Sequence, residues 1–381
     1  MRILLVNFEF PPVGGGGANA AFYISRELVR QGHQVDVLTS RFRGLKKEEN
    51  IDGVRVIRVP VIRKRLDYSS VKEMASFAVS TVPYAIKLAA QNKYDVVHVF
   101  FGVPCGHIGW LLKKVFGIPY LISLRGGDVP GFKPHGYEKH YRRLTPVIKH
   151  LWNDCDALVA VSQGLRYQAL LVHPDAKEIQ VIPNGVNTQE FTPAPHQAGH
   201  PVNILVVSRL IRRKGIEYLI EAASLLQDRT KTPFQITIAG DGIYRHRLEG
   251  HVKQRGLEKR VTFLGSIDHD KLPAVYRSAD IFCLPSLAEG MSNVLLEALS
   301  SGLPLVSTKT SGSTELIHPH VNGFLVDIED AADLADHLLP LIEDSSLREK
   351  FGRASREAAL TYSWKTISKH YQEIYSRIRH G

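Results

Sequence analysis

Apolar residues in this chain gather into short unbroken runs, separated by longer stretches with helical periodicity. In the first half the runs fall at residues 3–7, 35–39, 54–59, 96–100, 120–124, 157–162 and 181–182. In the second half they fall at 204–208, 235–239, 261–264, 281–284 and 304–307. A strand with one face in water alternates apolar and polar residues, whereas these runs are mostly apolar without strict alternation, as strands covered on both faces are. Helical segments between such strands predict parallel sheets with helices on each side, a doubly wound α/β architecture occurring twice.

The two halves are separated by PNGVNTQEFTPAPHQAGHPVN, rich in Pro, Gly and Asn and without periodicity. This composition suits an interdomain linker and places a boundary near residue 195. The expected domains are 1–195 and 196–361, with the helical tail 362–381 returning to pack on the first. A length of 381 residues allows each domain its own core.

Composition narrows the class only slightly. A hydrophobic fraction of 44% and a charged fraction of 23% are those of a soluble globular protein. Cys105, Cys155 and Cys283 lie far apart with no metal-ligand spacing, which favours a reducing compartment and buried thiols. The opening MRILLVNFEFPP lacks the core of a signal peptide and no later segment reads as a membrane span, so the expected location is the cytoplasm.

Charge adds more. The net +10 is concentrated in residues 1–190, where 25 Lys and Arg face 16 Asp and Glu, a local excess of +9. The basic residues cluster at Arg41, Arg43, Lys46, Lys47, Arg55, Arg58, Arg63, Lys64 and Arg65, and again at Lys133, Lys139, Arg142, Arg143 and Lys149. Such a field suits an anionic membrane surface, or is a solvated face that serves solubility. No nucleic-acid recognition motif accompanies it.

Three segments carry candidate chemistry. In FPPVGGGGANAAFYISRELVRQ, Gly14 to Gly17 form a loop between the first strand and a helix expected from about Ala18. Glycine lets backbone N–H groups approach an anion closely, and the helix start favours phosphate. Pro11 and Pro12 lengthen this loop beyond a dinucleotide fingerprint, and Thr39-Ser40-Arg41 offers no ribose-binding acid, although Arg41 would suit a 2′-phosphate. In VVSRLIRRKGIEYLIEAA, Arg209 and Lys214 follow a strand end, the edge at which open α/β sheets bind ligands. The third segment, LPSLAEGMSNVLLEALSSGLPLVST, places Glu289 in a loop and Glu297 in the helix that follows. Carboxylates accepting from vicinal hydroxyls, beside helix-start N–H groups, describe a pocket for a nucleotide-sugar.

The E-x7-E element in EGMSNVLLEA, with FPPVGGGGA, YDVVHVF, VIPNGVNTQEF, SRLIRRKG, IAGDGIYRHRLE, VTFLGSI and NGFLV in order, resembles retaining glycosyltransferases of GT-B architecture, family 4 in particular. The resemblance spans nearly the whole chain. It implies two Rossmann-like domains facing a central cleft, with the acceptor on the first and a nucleotide-diphospho-sugar, expected to be a UDP-sugar, on the second. It further implies that Arg209 and Lys214 hold the diphosphate, and that Glu297 takes the ribose hydroxyls. Glu289 would read the sugar with Gly290, Met291, Ser292 and Asn293; Gly265 and Ser266 would flank the base; and Gly15, Gly16 and Gly17 would close over the phosphates. No cofactor and no metal are expected. Asp154-Cys155-Asp156 and Asp268-His269-Asp270 match a D-x-D metal pattern but sit where structural acids occur.

The chain departs from its relatives at LISLRGGDVPGF, where Arg125 stands at the position of a common histidine and Asp128 follows. Arg125 is a candidate contact to a phosphate, a sugar hydroxyl or an acidic sugar, or else the partner of Asp128. The expected reaction moves a hexosyl group to a hydroxyl of a glycan or lipid-linked acceptor, with retention at the anomeric carbon. The competing readings are an NADP-dependent oxidoreductase and a non-catalytic nucleotide-sugar-binding protein.

Overall fold

The run RILLV forms β1 (Arg2–Val6), buried on both faces from Ile3 onward and lying parallel between two other strands. The computed structural model to which this strand belongs describes residues 1–66, 69–131, 138–194 and 201–380. The chain divides into two units, Met1–Asn184 with Trp364–Gly381, and Gly185–Ser363.

The first unit continues with α1 (Gly16–Arg30), β2 (Gln34–Ser40), β3 (Glu48–Ile51), β4 (Val54–Val59), α2 (Val71–Gln91) and β5 (Val96–Phe100). It then runs through α3 (Gly102–Phe116), β6 (Tyr120–Leu124), α4 (Glu138–Asp154), β7 (Ala157–Ala160), α5 (Gln163–Val172) and β8 (Ile179–Val181). Its sheet has the order β3-β4-β2-β1-β5-β6-β7-β8 and is parallel except for β3. Strand β3, with the sequence EENI, pairs antiparallel with β4 at the sheet edge, and its polar residues hid it from the apolar pattern. Helix α2 opens with a reciprocal capping box between Ser70 and Glu73, which fixes its start.

The second unit contains β9 (Val202–Val207), α6 (Ile216–Arg229), β10 (Phe234–Ala239), α7 (Arg245–Gln254), β11 (Val261–Gly265), α8 (Leu272–Arg277) and β12 (Ile281–Leu284). These are followed by α9 (Asn293–Ser300), β13 (Leu305–Thr308), α10 (Ser313–Leu316), β14 (Gly323–Val326), α11 (Ala331–Glu343) and α12 (Ser345–Thr361). The six strands lie in the order β11-β10-β9-β12-β13-β14, all parallel. The final helix α13 (Trp364–His380) belongs to the first unit. Its apolar face, Trp364, Ile367, Tyr371, Ile374, Tyr375 and Ile378, joins the core around α1, with Trp364 stacked on Tyr23 at 5.4 Å.

The break between units falls about ten residues before the linker position expected near 195. The reason is packing: Val186 N donates to the Tyr362 carbonyl at 2.8 Å, and Phe191 is buried with Leu205 and Phe282 in the second unit. Residues 195–200 of the linker lie outside the described residues.

The basic cluster of the first half is split by the fold. Arg58 is buried and paired with Glu49, and Arg55 bonds Glu48 at 2.6 Å. The Arg63 side chain is 2% exposed, lies 3.4 Å from Glu9 and donates to the carbonyls of Phe8, Arg65 and Leu66. Arg43, Lys46, Lys47, Lys64, Arg65, Arg142 and Arg143 are exposed, whereas Lys133 and the Lys139 side chain lie outside the described residues. All three cysteines are buried and free. Among the described residues, no helix is long and apolar enough to cross a membrane.

Candidate functional site

In the second unit the candidate residues gather at the carboxyl edge of the sheet, on the loops after β9, β11 and β12. After β9 the chain passes exposed Arg209, forms one turn of 3-10 helix at Arg212–Lys214 and enters α6 through Gly215. Gly215 has φ +60°, and a Cβ there would lie 2.1 Å from the Pro285 carbonyl oxygen. Only glycine lets this turn press against the end of β12. That approach delivers Lys214 to the β12–α9 loop, where its ammonium pairs with Glu289 Oε1. Ser286 Oγ donates to the same oxygen at 2.9 Å. The Lys214 and Glu289 side chains are only 11% and 10% exposed, so the pair is poorly screened by solvent.

The loop bearing Glu289 is held from two sides. Leu287 N donates to the Arg213 carbonyl at 2.8 Å, and Ser311 Oγ donates to the Glu289 carbonyl at 2.7 Å. Gly290 backs closely onto Gly312, and Met291 packs its side chain against the core. Ser292 precedes α9 without a side-chain cap, and Asn293 begins the helix.

Glu297, on the second turn of α9, is buried. Its Oε2 accepts from the fully buried Tyr276 hydroxyl at 2.8 Å, and its Oε1 lies 3.6 Å from His269 Nε2. The hydrogen bond to Glu297 raises the His269 pKa, while burial and the Glu297 charge push the Tyr276 phenol well up. The Phe191 ring meets both His269 and Tyr276 edge-on. Tyr276 and His269 were missed from sequence, because 21 and 28 residues separate them from Glu297 and no local motif links them. Gly265 ends β11 with φ +75° and its carbonyl accepts from Gly240 N at 2.7 Å, leaving Ser266 exposed.

Three of the four D-x-D acids are engaged by protein partners. Asp154 accepts from Lys114 at 2.7 Å, Asp156 accepts from Tyr120 N at 2.9 Å, and Asp268 pairs with Lys271 at 3.0 Å.

In the first unit, α1 begins at Gly16, two residues before the expected start, so Gly16 and Gly17 form its first turn and Gly15 precedes it. A Cβ on Gly17 would lie 2.6 Å from the Phe101 ring, so this turn needs glycine for space. Asn7 Nδ2 bonds the Gly17 carbonyl at 3.3 Å and ties the loop to the end of β1. Arg125 follows β6 at the carboxyl edge of this sheet, and its Nη1 donates to Asn184 Oδ1 at 2.7 Å. Asp128 is not the partner of that guanidinium: its carboxylate accepts the backbone N–H groups of Arg125 and Gly102 at 2.9 and 2.8 Å. His98 is buried between Tyr375 and Ser123 with its pKa pushed well down by burial, so it stays neutral.

Two α/β units on largely parallel sheets are the architecture of GT-B glycosyltransferases, and similarity to known proteins shows that class. Residues 14–190 match Glycosyltransferase Family 4 and residues 188–358 match Glycosyl transferases group 1. An uncharacterised glycosyltransferase of Methanocaldococcus jannaschii is 30% identical, covering 98% of each chain. The solved sucrose-phosphate synthase of Thermosynechococcus elongatus superposes with TM-score 0.85 at 25% identity over 99% of this chain and 98% of that one. Anabaena HepE, solved with UDP and glucose, gives a TM-score of 0.75 at 20% identity over 99% of each chain. The chain belongs to the group 1, family 4 glycosyltransferases and is an enzyme of that class. Membership replaces the NADP-dependent oxidoreductase reading.

Proposed function

We propose that this glycosyltransferase moves a hexosyl group from a UDP-sugar to a hydroxyl of a glycan or lipid-linked acceptor, with retention at the anomeric carbon. The observation that carries this reading is the Lys214–Glu289 pair, held by Gly215 at the carboxyl edge of the second sheet, with Glu297 one short helix segment away. A carboxylate for sugar hydroxyls and a second for ribose stand within one loop–helix element, and the neighbouring β9–α6 turn brings a cation for a diphosphate against the first. UDP as the nucleotide is supported by the UDP and glucose bound to HepE, which shares the fold.

In the proposed reaction the bond from the anomeric carbon to the diphosphate breaks as the acceptor oxygen bonds that carbon on the same face. The departing β-phosphate takes the acceptor proton. Arg209 and Lys214 stabilise the charge that grows on the leaving group. Lys214 must then exchange Glu289 for the diphosphate, which frees the Glu289 carboxylate for sugar hydroxyls. These cations supply the charge a metal would bring, so the reaction is proposed to run without metal or cofactor.

We further place the enzyme in the cytoplasm, docked peripherally on an anionic membrane through the exposed Lys46, Lys47, Lys64 and Arg65. The donor reading is tested by calorimetric titration with UDP, UDP-sugars and other nucleotide-sugars. Saturable binding of UDP and at least one UDP-sugar is expected. Binding of none of them would remove the proposal.

A further inference from the structure

Among the described residues, no carboxylate forms an ion pair with the Arg125 guanidinium. It lies over the Phe100 ring, with Cζ 4.3 Å from the centroid, and only its Nη1 has an acceptor, Asn184 Oδ1 at 2.7 Å. Its Nε and Nη2 are buried and have no hydrogen-bond partner. Asp128, the carboxylate nearest in charge effect among the described residues, directs its oxygens at the backbone N–H groups of Arg125 and Gly102. His98 is held uncharged by burial, and the phenols of Tyr371 and Tyr375 are buried, with burial pushing Tyr375 well up.

An arginine stays charged under these conditions, and leaving such a charge buried and unpaired is strongly unfavourable. Buried donors are nearly always satisfied, so two orphaned donors on one guanidinium point to a missing acceptor. The geometry of the orphans is informative. Nε–H and one Nη2–H run parallel along one edge of the guanidinium, the edge that grips both oxygens of a carboxylate or two oxygens of a phosphate. A sugar hydroxyl would satisfy one donor and bring no charge. The position adds weight, because Arg125 follows β6 at the carboxyl edge of the sheet, where open α/β folds bind their ligands.

We infer that Arg125 is an oxyanion-binding residue, and that a substrate of this enzyme carries a carboxylate or phosphate distinct from the donor diphosphate. Phe100 holds the plane of the guanidinium and Asn184 its far nitrogen, so the unpaired, buried edge is pre-oriented and loses little freedom on binding. Lysine could not replace it, because an ammonium offers a point charge without the fork. The inference rests on the glycosyltransferase reading for the word substrate, but the anion site stands on Arg125 itself.

The test titrates glucose, glucuronate and glucose 6-phosphate into the full-length protein, with and without saturating UDP. In the wild type, glucuronate or glucose 6-phosphate should bind about tenfold or more tighter than glucose, the size expected for a charge-assisted bidentate contact. Which of the two anions is preferred identifies the group as carboxylate or phosphate. Arg125→Gln should abolish the preference and Arg125→Lys should recover only part of it, while UDP affinity stays unchanged in both and reports an intact fold. If Arg125→Gln does not fold, the wild-type preference and its weakening in Arg125→Lys decide. An absent preference in the wild type, a preference surviving in Arg125→Gln or undiminished in Arg125→Lys, or a parallel loss of UDP affinity would overturn the inference. Failure of UDP to bind the wild type would instead strike at the donor reading, and the titrations without UDP would still decide the role of Arg125.

Discussion

The Tyr276 hydroxyl donates to Glu297 Oε2 at 2.8 Å while His269 stands 3.6 Å from the other oxygen, so both oxygens of this buried carboxylate have a neighbour. Tyr276 fixes the rotamer of the carboxylate, and Oε1 points toward the more exposed side, where His269 sits. A ligand hydroxyl can meet Oε1 without disturbing Tyr276. Replacing Tyr276 by Phe removes a hydrogen bond to a charged group, and UDP binding should weaken by about tenfold. Calorimetry of the wild type and Tyr276→Phe checks this, and equal affinities would detach Tyr276 from the site.

The His269–Glu297 contact also makes stability depend on pH. The folded-state pKa of His269 is raised, chiefly by its hydrogen bond to Glu297. Its contribution is therefore fully present below the ordinary histidine value near 6.5 and is lost as pH climbs through the raised folded value. Thermal unfolding of the wild type and His269→Gln should differ most at pH 5.5 to 6 and converge at alkaline pH. A gap that widens as pH rises would reverse the assigned sign.

Arg209 and Lys214 are predicted to separate stability from turnover. Arg209 is exposed, and Arg209→Ala should leave the melting temperature nearly unchanged. Lys214→Ala strands Glu289, whose side chain is 10% exposed, and should cost about 3 kcal/mol of stability, as expected when one partner of a buried pair is lost. Both should lower kcat/KM for transfer by about 100-fold, the scale of removing a donor to a developing oxyanion. Paired melting curves and kinetics check the split. Near-normal kinetics in both variants would remove these residues from the mechanism.

For membrane docking, the fold dictates which charges to change. Arg63 is packed against Glu9 and three carbonyls, so reversing it would damage the loop rather than probe a surface. The exposed Lys64 and Arg65 are the proper pair. Co-sedimentation with phosphatidylglycerol vesicles should be strong at low salt, fall as salt screens the charges, and drop in Lys64→Glu/Arg65→Glu. Wild-type protein that ignores these vesicles at low salt would favour a soluble acceptor.

The fold was legible wherever burial on two faces imposed continuous apolar runs. The runs at 54–59, 96–100, 120–124 and 281–284 coincide with β4, β5, β6 and β12. Strand β3 escaped because an edge strand reading EENI carries no apolar signal, and β14 because GFLV is short and follows a turn at Asn322. Helix α1 begins earlier than glycine's poor helix propensity suggests, since the approach to Phe101 excludes a Cβ at Gly17. Lys214 and Glu289 were visible as residue types at loop positions, but their pairing depends on Gly215 lying against Pro285. The nearest acid in sequence, Asp128, was the natural partner for Arg125, yet Asn184, 59 residues away, is the one the fold supplies. Contacts of that kind belong to the folded chain and leave no local pattern.

The most direct test of the account is UDP release from a panel of UDP-sugars with a hydroxyl acceptor mixture and excess EDTA, comparing wild type with Lys214→Ala. At least one UDP-sugar should be consumed by the wild type despite EDTA, with release lowered about 100-fold in Lys214→Ala. Turnover that vanishes in EDTA and returns with Mg²⁺ or Mn²⁺, or that is indifferent to the loss of Lys214, would contradict it.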